Sequence, residues 1–285
     1  MKVAFCLSGQ LRTWKKCHTS WNGLFERFKE EMWINDIWQH PPYANEPFEI
    51  DYFIHTWDFN TLPHYNWNIN WNDPTLFTDV QIAEKLELFD NAYTPIDKSE
   101  IEEVIRILNP KDYMIEGWDV SKSRTKVMDD IARSHSFDRN QTQSHISWSA
   151  SQLYSILRAA HLKRKYEIEN KMQYDMCIRS RFDVGFDDNN LMLFARDFEK
   201  PKSKTIYSVH NGSLNHYPFN LIGDIFYYSD SHTFDLLTSL YDIVPHIEQS
   251  AFKKSIKIEE VMTYIVRMFQ LNNVFIDSEP NVIRD

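Results

Sequence analysis

Glycine is scarce in this chain, with six in 285 residues, at positions 9, 23, 117, 185, 212 and 223. No two of them lie close enough to form GxGxxG or a Walker A loop, which excludes a dinucleotide-binding oxidoreductase and a P-loop NTPase. Cysteine is scarcer still: Cys6, Cys17 and Cys177 form no CxxC pair, so neither a zinc ribbon nor a disulfide framework is readable. Positive charge is in deficit, with 31 Lys and Arg against 41 Asp and Glu and a net charge of −10. A domain that grips duplex DNA through its phosphates usually carries the opposite sign. A local basic patch is still available from Lys15, Lys16 and the run Lys163-Arg164-Lys165. No apolar run approaches the roughly 20 residues that span a bilayer, and Val3–Leu7 is too short for a signal peptide. The expectation is a cytoplasmic protein without a membrane span. The sequons at Asn140 and Asn211 carry little weight in that setting, and no obligate protein partner is readable.

What is present is apolar and aromatic. Hydrophobic residues make up 42%, aromatic residues 15% and charged residues 25% of the chain, enough to bury a sizeable core and to exclude disorder as the overall state. Met1–Leu7 reads as a short buried strand. Trp14, Trp21, Phe25, Phe28 and Met32 keep helical spacing after it. Phe48–Trp57 is a second strand with a polar exit at His55 and Asp58, and Asn60–Pro74 has the composition of an exposed loop. Helices are expected near Asp79–Phe89 and Lys98–Leu108, then a strand at Asp112–Glu116 and a polar loop over Ser121–Ser147. A long helix is expected from Ser147, as N-cap, to about Glu169. Strands follow at Tyr174–Arg179, Thr205–Val209 and Leu221–Tyr228. The last helix is Ile258–Phe269, whose apolar residues recur at i, i+3, i+4 and i+7. Strands alternating with helices predict an α/β fold with a mostly parallel central sheet and helices on both faces. No repeat or linker interrupts it, so one domain is the better count. Ligands in such sheets bind beyond the C-terminal ends of the strands. Three predicted strands end in polar residues, at SGQLR, HTWD and RSRFD.

The chemistry is expected at those ends. In Ser8-Gly9-Gln10-Leu11-Arg12, Gly9 lets a ligand approach the backbone, and Ser8 and Gln10 offer hydrogen bonds to a base or ribose. Arg12 can meet a phosphate bidentately; an ordinary βα turn with a surface arginine is the bland alternative. In Arg179-Ser180-Arg181-Phe182-Asp183, alternation puts Arg179, Arg181 and Asp183 on one side. Two adjacent guanidiniums repel unless an anion or carboxylates relieve them, so this stretch reads as a diphosphate site or as a self-satisfied ion cluster. Asp183, helped by Asp187 and Asp188, is the candidate ligand for a divalent metal, Mn²⁺ or Mg²⁺. Asp224, beside Gly223 in a strand of aromatics, should face a site or a partner, because burying it unpaired is expensive. Glu259 and Glu260 lie off the apolar stripe in the first turn of the last helix, where the helix dipole favours acids in any case. With Asp224 they form the short list for a catalytic base. No histidine pair has metal-ligand spacing; the candidates are His55, at a strand end and counted with the donor-binding residues, and His210 and His216, in a polar loop.

MKVAFCLSGQLR, DYFIHTW, SQLYSILRAAHLKRKYE, YDMCIRSRFD, GDIFYYSD and IEEVMTYIV together resemble a GT-A-type glycosyltransferase-like family found in bacteria, large viruses and phages. The resemblance covers nearly the whole chain in order and rests on the combination, since no single motif is specific. It implies one GT-A-like, Rossmann-like domain, with residues 1–120 as the nucleotide-binding half and 121–285 as the metal, diphosphate and acceptor half. Ser8, Gly9, Gln10 and Arg12 would hold the nucleotide, with UDP as the expected one. RSRFD would stand where such enzymes keep their metal- and diphosphate-binding acidic motif. Gln152 and Tyr154 would face the donor, and the GD and EE segments would lie near the acceptor. The usual DxD is replaced by RxRxD, which questions metal dependence and suggests Arg179 and Arg181 in the metal's place.

The expected function is transfer of a sugar from a nucleoside-diphosphate sugar to an acceptor hydroxyl, on a glycan or surface polysaccharide or on a hydroxymethylated base of phage DNA. In the phage case the site of action would be the host cytoplasm. The rivals are a non-catalytic nucleotide- or sugar-binding protein of the same fold and a Mg²⁺-dependent nucleotidyltransferase or phosphohydrolase built on Asp183, Asp187 and Asp188.

Overall fold

A computed structural model describes residues 1–39, 48–61, 93–117, 119–120, 139–187, 200–210, 222–246, 258–276 and 281–282. The predicted helix at Asp79–Phe89 and most of the Asn60–Pro74 stretch lie outside the described residues. In chain order the elements are β1 (Lys2–Gly9), α1 (Trp14–Gln39), β2 (Glu49–Trp57), β3 (Phe59–Thr61), β4 (Tyr93–Pro95), α2 (Lys98–Leu108) and β5 (Asp112–Glu116). They continue with α3 (Arg139–Asn170), β6 (Met176–Ser180), β7 (Val184–Gly185), β8 (Thr205–His210), β9 (Ile222–Ser229), α4 (Ser231–Thr238), α5 (Leu240–Ile243), α6 (Ile258–Met268), β10 (Asn272–Ile276) and β11 (Asn281–Val282).

Seven strands form one sheet in the order β10-β8-β9-β6-β1-β2-β5. The pairs β1–β2, β1–β6, β2–β5 and β8–β10 are parallel, and β9 runs antiparallel to both β6 and β8. The fold is therefore α/β with a mostly parallel sheet, and β9 is the exception. β1 is an interior strand between β6 and β2, with six consecutive buried residues from Val3 to Ser8, as expected of a strand covered on both faces. Val3, Phe5 and Leu7 pack into one core beneath α1 and α2, and Ala4 and Cys6 pack into the other beneath α3, α4 and α6. The first core is aromatic: the Phe5 ring meets Trp21 at 5.7 Å and Phe25 at 5.0 Å, edge to face. The Trp21 indole N–H donates to the Val184 carbonyl at 2.8 Å, which ties α1 to β7.

Local chemistry sets the shorter elements. Asp97 caps α2 by accepting from the Ser99 amide, and Asn109 closes the helix in the left-handed region at φ 43°. Asp230 caps α4 by accepting from the Thr233 amide. Among the boundaries that differ from the sequence reading, two bear on the site. The long helix begins at Arg139 rather than Ser147; no Gly or Pro lies between 139 and 170, and polarity alone does not stop a helix. β1 runs through Ser8 and Gly9, so the turn starts at Gln10.

α3 crosses the sheet antiparallel to β1, and its C-terminal half carries a buried ion network. Lys163, with none of its side chain exposed, reaches Glu167 at 3.0 Å, Asp235 at 2.7 Å and the Ser231 hydroxyl at 2.6 Å. Glu167 also accepts from the Tyr174 amide at 2.9 Å. Every member of this set has a hydrogen-bonded partner, as a buried charge requires. It sits at the N-terminal end of β6, the edge opposite the polar strand ends.

β8 and β9 lose register between Ser208 and His210, where the pairing jumps from Ser208↔Tyr227 to His210↔Ile222. Gly223 lies in this irregularity, and a Cβ there would stand 2.6 Å from the Val209 carbonyl oxygen. Gly223→Ala is expected to destabilise the fold by about 1–3 kcal/mol, because the obstacle is backbone and cannot swing aside. Urea unfolding of the two proteins checks this, and coincident midpoints would refute the close approach.

Candidate functional site

The C-terminal ends of β1, β2, β5 and β6 meet the bulged N-terminal half of β9 beneath the middle of α3. Alternation along β1 continues the α3-facing row from Ala4 and Cys6 to Ser8, and on β2 from Phe53 to His55. Ser8 and His55 are register partners. On β6 the same row contains Cys177 and Arg179, the latter opposite Cys6 on one side and Tyr227 on the other.

Arg179 is the centre of the site. Its side chain is buried, with 1% of the residue exposed. One terminal nitrogen donates to the Ile225 carbonyl at 2.7 Å. Its Nε and Nη2 have no hydrogen-bond partner among the described residues. Burial draws its pKa down to about 10, against the opposing pull of Asp224, and it remains a cation at neutral pH. A buried, charged donor left with open hydrogen-bonding capacity is costly in a finished core and ordinary in a ligand site.

Two residues further along, Arg181 and Asp183 form a fork: Nε to Oδ1 at 2.8 Å and Nη2 to Oδ2 at 2.5 Å. Burial works against the charge of Arg181, but the Asp183 carboxylate outweighs it and holds the guanidinium above its ordinary value. Arg12 approaches the same Asp183 oxygen at 3.7 Å and donates from Nε to the Gln10 side chain at 2.8 Å. The turn that carries it is conformationally special, with Gly9 at φ 116° and Arg12 at φ 37°. A non-glycine residue in the left-handed region costs on the order of 1 kcal/mol, and such outliers concentrate at functional sites. The Thr56 hydroxyl braces the turn by donating to the Gly9 carbonyl at 2.9 Å. Asp224, delivered by the β9 bulge, accepts a short hydrogen bond from the Gln152 amide of α3 and carries charge toward Arg179 and Arg181.

The structure thus gathers Arg12, Gln152, Arg179, Arg181, Asp183 and Asp224 into one network, with Ser8 in the same row. Glu259 is half-buried in the first turn of α6; its carbonyl accepts from the Thr263 hydroxyl, which in turn accepts from the Ile222 amide two residues before Asp224. The side chains of Glu260 and His210 lie outside the described residues, as do His216 and Asp188. Asp187 is exposed just after β7.

A second polar group adjoins the first. His55 is fully buried and donates from Nε2 to Glu116 at 2.8 Å; the donor role follows from its carboxylate partner. The Tyr154 hydroxyl donates to the other Glu116 oxygen at 3.1 Å, and Arg158 stands 3.7 Å away. Burial lowers the His55 pKa despite the pull of Glu116, so the imidazole is neutral and its Nδ1 is a bare acceptor without a partner among the described residues. Burial pushes Glu116 up, yet His55, Tyr154 and Arg158 together hold it below its ordinary value. Trp57 stacks on Tyr154 at 5.9 Å and meets His55 edge-on at 4.9 Å, closing this side with aromatic surface. The Ser8 and Ser155 hydroxyls are likewise buried and unpartnered among the described residues.

Sequence reasoning reached Tyr154 and His55 but not Glu116 or Arg158. Glu116 was accessible by the rule used elsewhere, since it is a polar residue closing a strand. Arg158 follows Tyr154 by one helical turn. Within the basic run at 163–165, Lys163 is buried in its ion network and Lys165 pairs with Asp112 at 2.9 Å. Lys15 is likewise paired, with Glu103 at 2.6 Å.

A divalent cation needs several oxygen ligands at once. Both oxygens of Asp183 are engaged by Arg181, Asp224 is bonded to Gln152, and three guanidiniums surround the pair. Among the described residues no group of three or more His, Cys, Asp or Glu side chains could hold a metal ion. This donor set does not fit a divalent cation at Asp183. Nor is any helix among the described residues long and apolar enough to cross a membrane. No protein-family model matches the chain, and no curated protein matches it in sequence.

The neutral state of His55 has a consequence for stability. Its folded pKa lies below the ordinary 6.5, so as pH falls below that value the unfolded chain takes up a proton that the folded chain refuses, and stability is lost. The slope reaches at most about 1.4 kcal/mol per pH unit for one such group. His55→Gln is expected to show a shallower loss between pH 6.5 and 5 than the parent, although His161, also lowered by burial, leaves a residual slope. Urea midpoints at a series of pH values test this; parallel curves would be the contrary outcome.

Proposed function

We propose that the protein is a GT-A-type glycosyltransferase that moves a sugar from a nucleoside-diphosphate sugar, UDP-linked by preference, to an acceptor hydroxyl. The observation that carries the reading is the convergence of Arg12, Arg181 and the buried, incompletely bonded Arg179 at the C-terminal ends of parallel strands. Breaking the bond between the anomeric carbon and the diphosphate leaves an electron pair, and negative charge, on the leaving oxygen. Guanidiniums fixed beforehand stabilise that charge without reorganising at the moment of reaction. In this scheme the Ser8–Gln10 turn and His55 receive the nucleoside, and the arginines hold the diphosphate. The acceptor oxygen forms the new bond to the anomeric carbon and yields its proton to a carboxylate. Asp224 is the best-placed base because it belongs to the same network, with Glu259 and Glu260 on the neighbouring helix.

A glycan acceptor is favoured over modified DNA, since the chain is acidic overall and Lys163 of the basic run is committed to a buried ion network. The nucleotidyltransferase reading needs an acidic metal cage, which Asp183 in its fork with Arg181 does not supply.

Thermal melting with a panel of nucleotides and nucleotide sugars tests the donor site. A ligand at a hundredfold excess over Kd stabilises by about 2.7 kcal/mol, and a shift of several degrees is expected for a nucleoside diphosphate. Arg181→Gln should remove most of the shift and lower nucleoside-diphosphate release in the presence of acceptor by about 10²–10³-fold, the usual cost of a lost donor to a developing anion. Binding without turnover would select the non-catalytic rival, and a melting temperature indifferent to every nucleotide would refute the donor site.

A further inference from the structure

We infer that this site binds the diphosphate group without a divalent cation, with the three guanidiniums supplying the positive charge and Asp183 acting as the positioning residue for Arg181. The inference rests on the donor-site reading above and adds to it the question of what neutralises the ligand.

The geometry is that of an anion receptor. Asp183 is 2% exposed, and both its oxygens accept from one guanidinium in a parallel fork, the most directional charge-assisted arrangement available to a carboxylate. A cation at Asp183 would have to break that fork within a nearly dry site. It would also enter beside Arg12, Arg179 and Arg181, where Asp183 and Asp224 are the only carboxylates of the described network, and like charge opposes it. An anion meets the reverse conditions. Among the described residues three guanidiniums stand against two carboxylates in this network. The fork engages the Nε and Nη2 side of Arg181 and leaves the Nη1 edge uncommitted to Asp183. Arg179 keeps Nε and Nη2 without a partner among the described residues. Arginine suits this task because its planar donors match phosphate oxygens bidentately and it stays charged when buried. Asp183 touches no ligand in this account. It holds one guanidinium in a single orientation and, with Arg12 at 3.7 Å, ties the strained turn to the end of β6.

The test is isothermal calorimetry of the full chain with inorganic pyrophosphate and with UDP, in buffer containing EDTA and in buffer containing Mn²⁺ or Mg²⁺. The expected result is a Kd in EDTA within about threefold of that with metal, and at least tenfold weaker binding by Arg181→Gln. Arg12→Gln, on a more exposed turn, serves the same purpose if Arg181→Gln does not fold. Asp183→Asn and Asp183→Ala remove the same charge, so a difference between them reports the fork alone. Asn, which keeps an acceptor, is expected to bind at least fivefold more tightly than Ala. Binding seen only with metal would overturn this inference and leave the donor site standing. Equal affinities for the Asn and Ala variants would overturn the positioning role. Absence of binding in both buffers would overturn the donor site itself.

Discussion

A charged guanidinium enclosed by protein is the constraint around which this structure is arranged. Arg179 lies on an interior strand between β1 and β9, where an apolar residue would be the ordinary choice. Leaving such a cation without compensation costs several kcal/mol. Its surroundings supply that compensation in three ways. The Ile225 carbonyl accepts one of its protons, Asp224 provides opposite charge, and the β9 irregularity at Gly223 brings that stretch of backbone into reach. The compensation is partial, because two nitrogens remain without partners among the described residues. An arrangement that carries this cost without relieving it is understandable when a ligand completes the set.

α3 links that site to the body of the protein. Its middle presents Gln152, Tyr154 and Arg158 to the polar strand ends, and two to three turns later Lys163 and Glu167 close the opposite edge of the sheet. The two sets obey different rules. Around Lys163 each donor and acceptor has a partner, which makes the network a rigid fixture. Around Arg179, Ser8, His55 and Ser155 open capacity persists on buried atoms. A satisfied polar network at the C-terminal end of α3 thus contrasts with buried, unpartnered atoms beneath its middle.

Much of this was legible in the chain. The apolar spacing of Trp14, Trp21, Phe25 and Phe28, and that of Ile258 to Ile265, marks helices that bury those faces. The alternation expected through Arg179, Arg181 and Asp183 does not continue that far: β6 ends at Ser180, and the fork between Arg181 and Asp183 is made by the turn that follows it. Other features were not legible because they depend on partners distant in sequence. Lys163 looks like one member of a surface run until Asp235 arrives from α4. Asp224 looks like an isolated carboxylate until a break in β-register turns it toward Gln152. Glu116 stands out as a polar residue closing a strand, but its pairing with His55, 61 residues earlier, is set by the pairing of β2 with β5.

By itself the sequence determined the periodicities, the scarcity of glycine that excludes phosphate-cradling loops, and the placing of polar residues at strand ends, all of them matters of neighbours along the chain. Tertiary structure alone decided which charges oppose one another. Strand order set β6 beside β1, so that Asp183 faces both Arg181 and the turn carrying Arg12. Electrostatic energy depends on distance through space and on burial, and neither quantity is encoded locally.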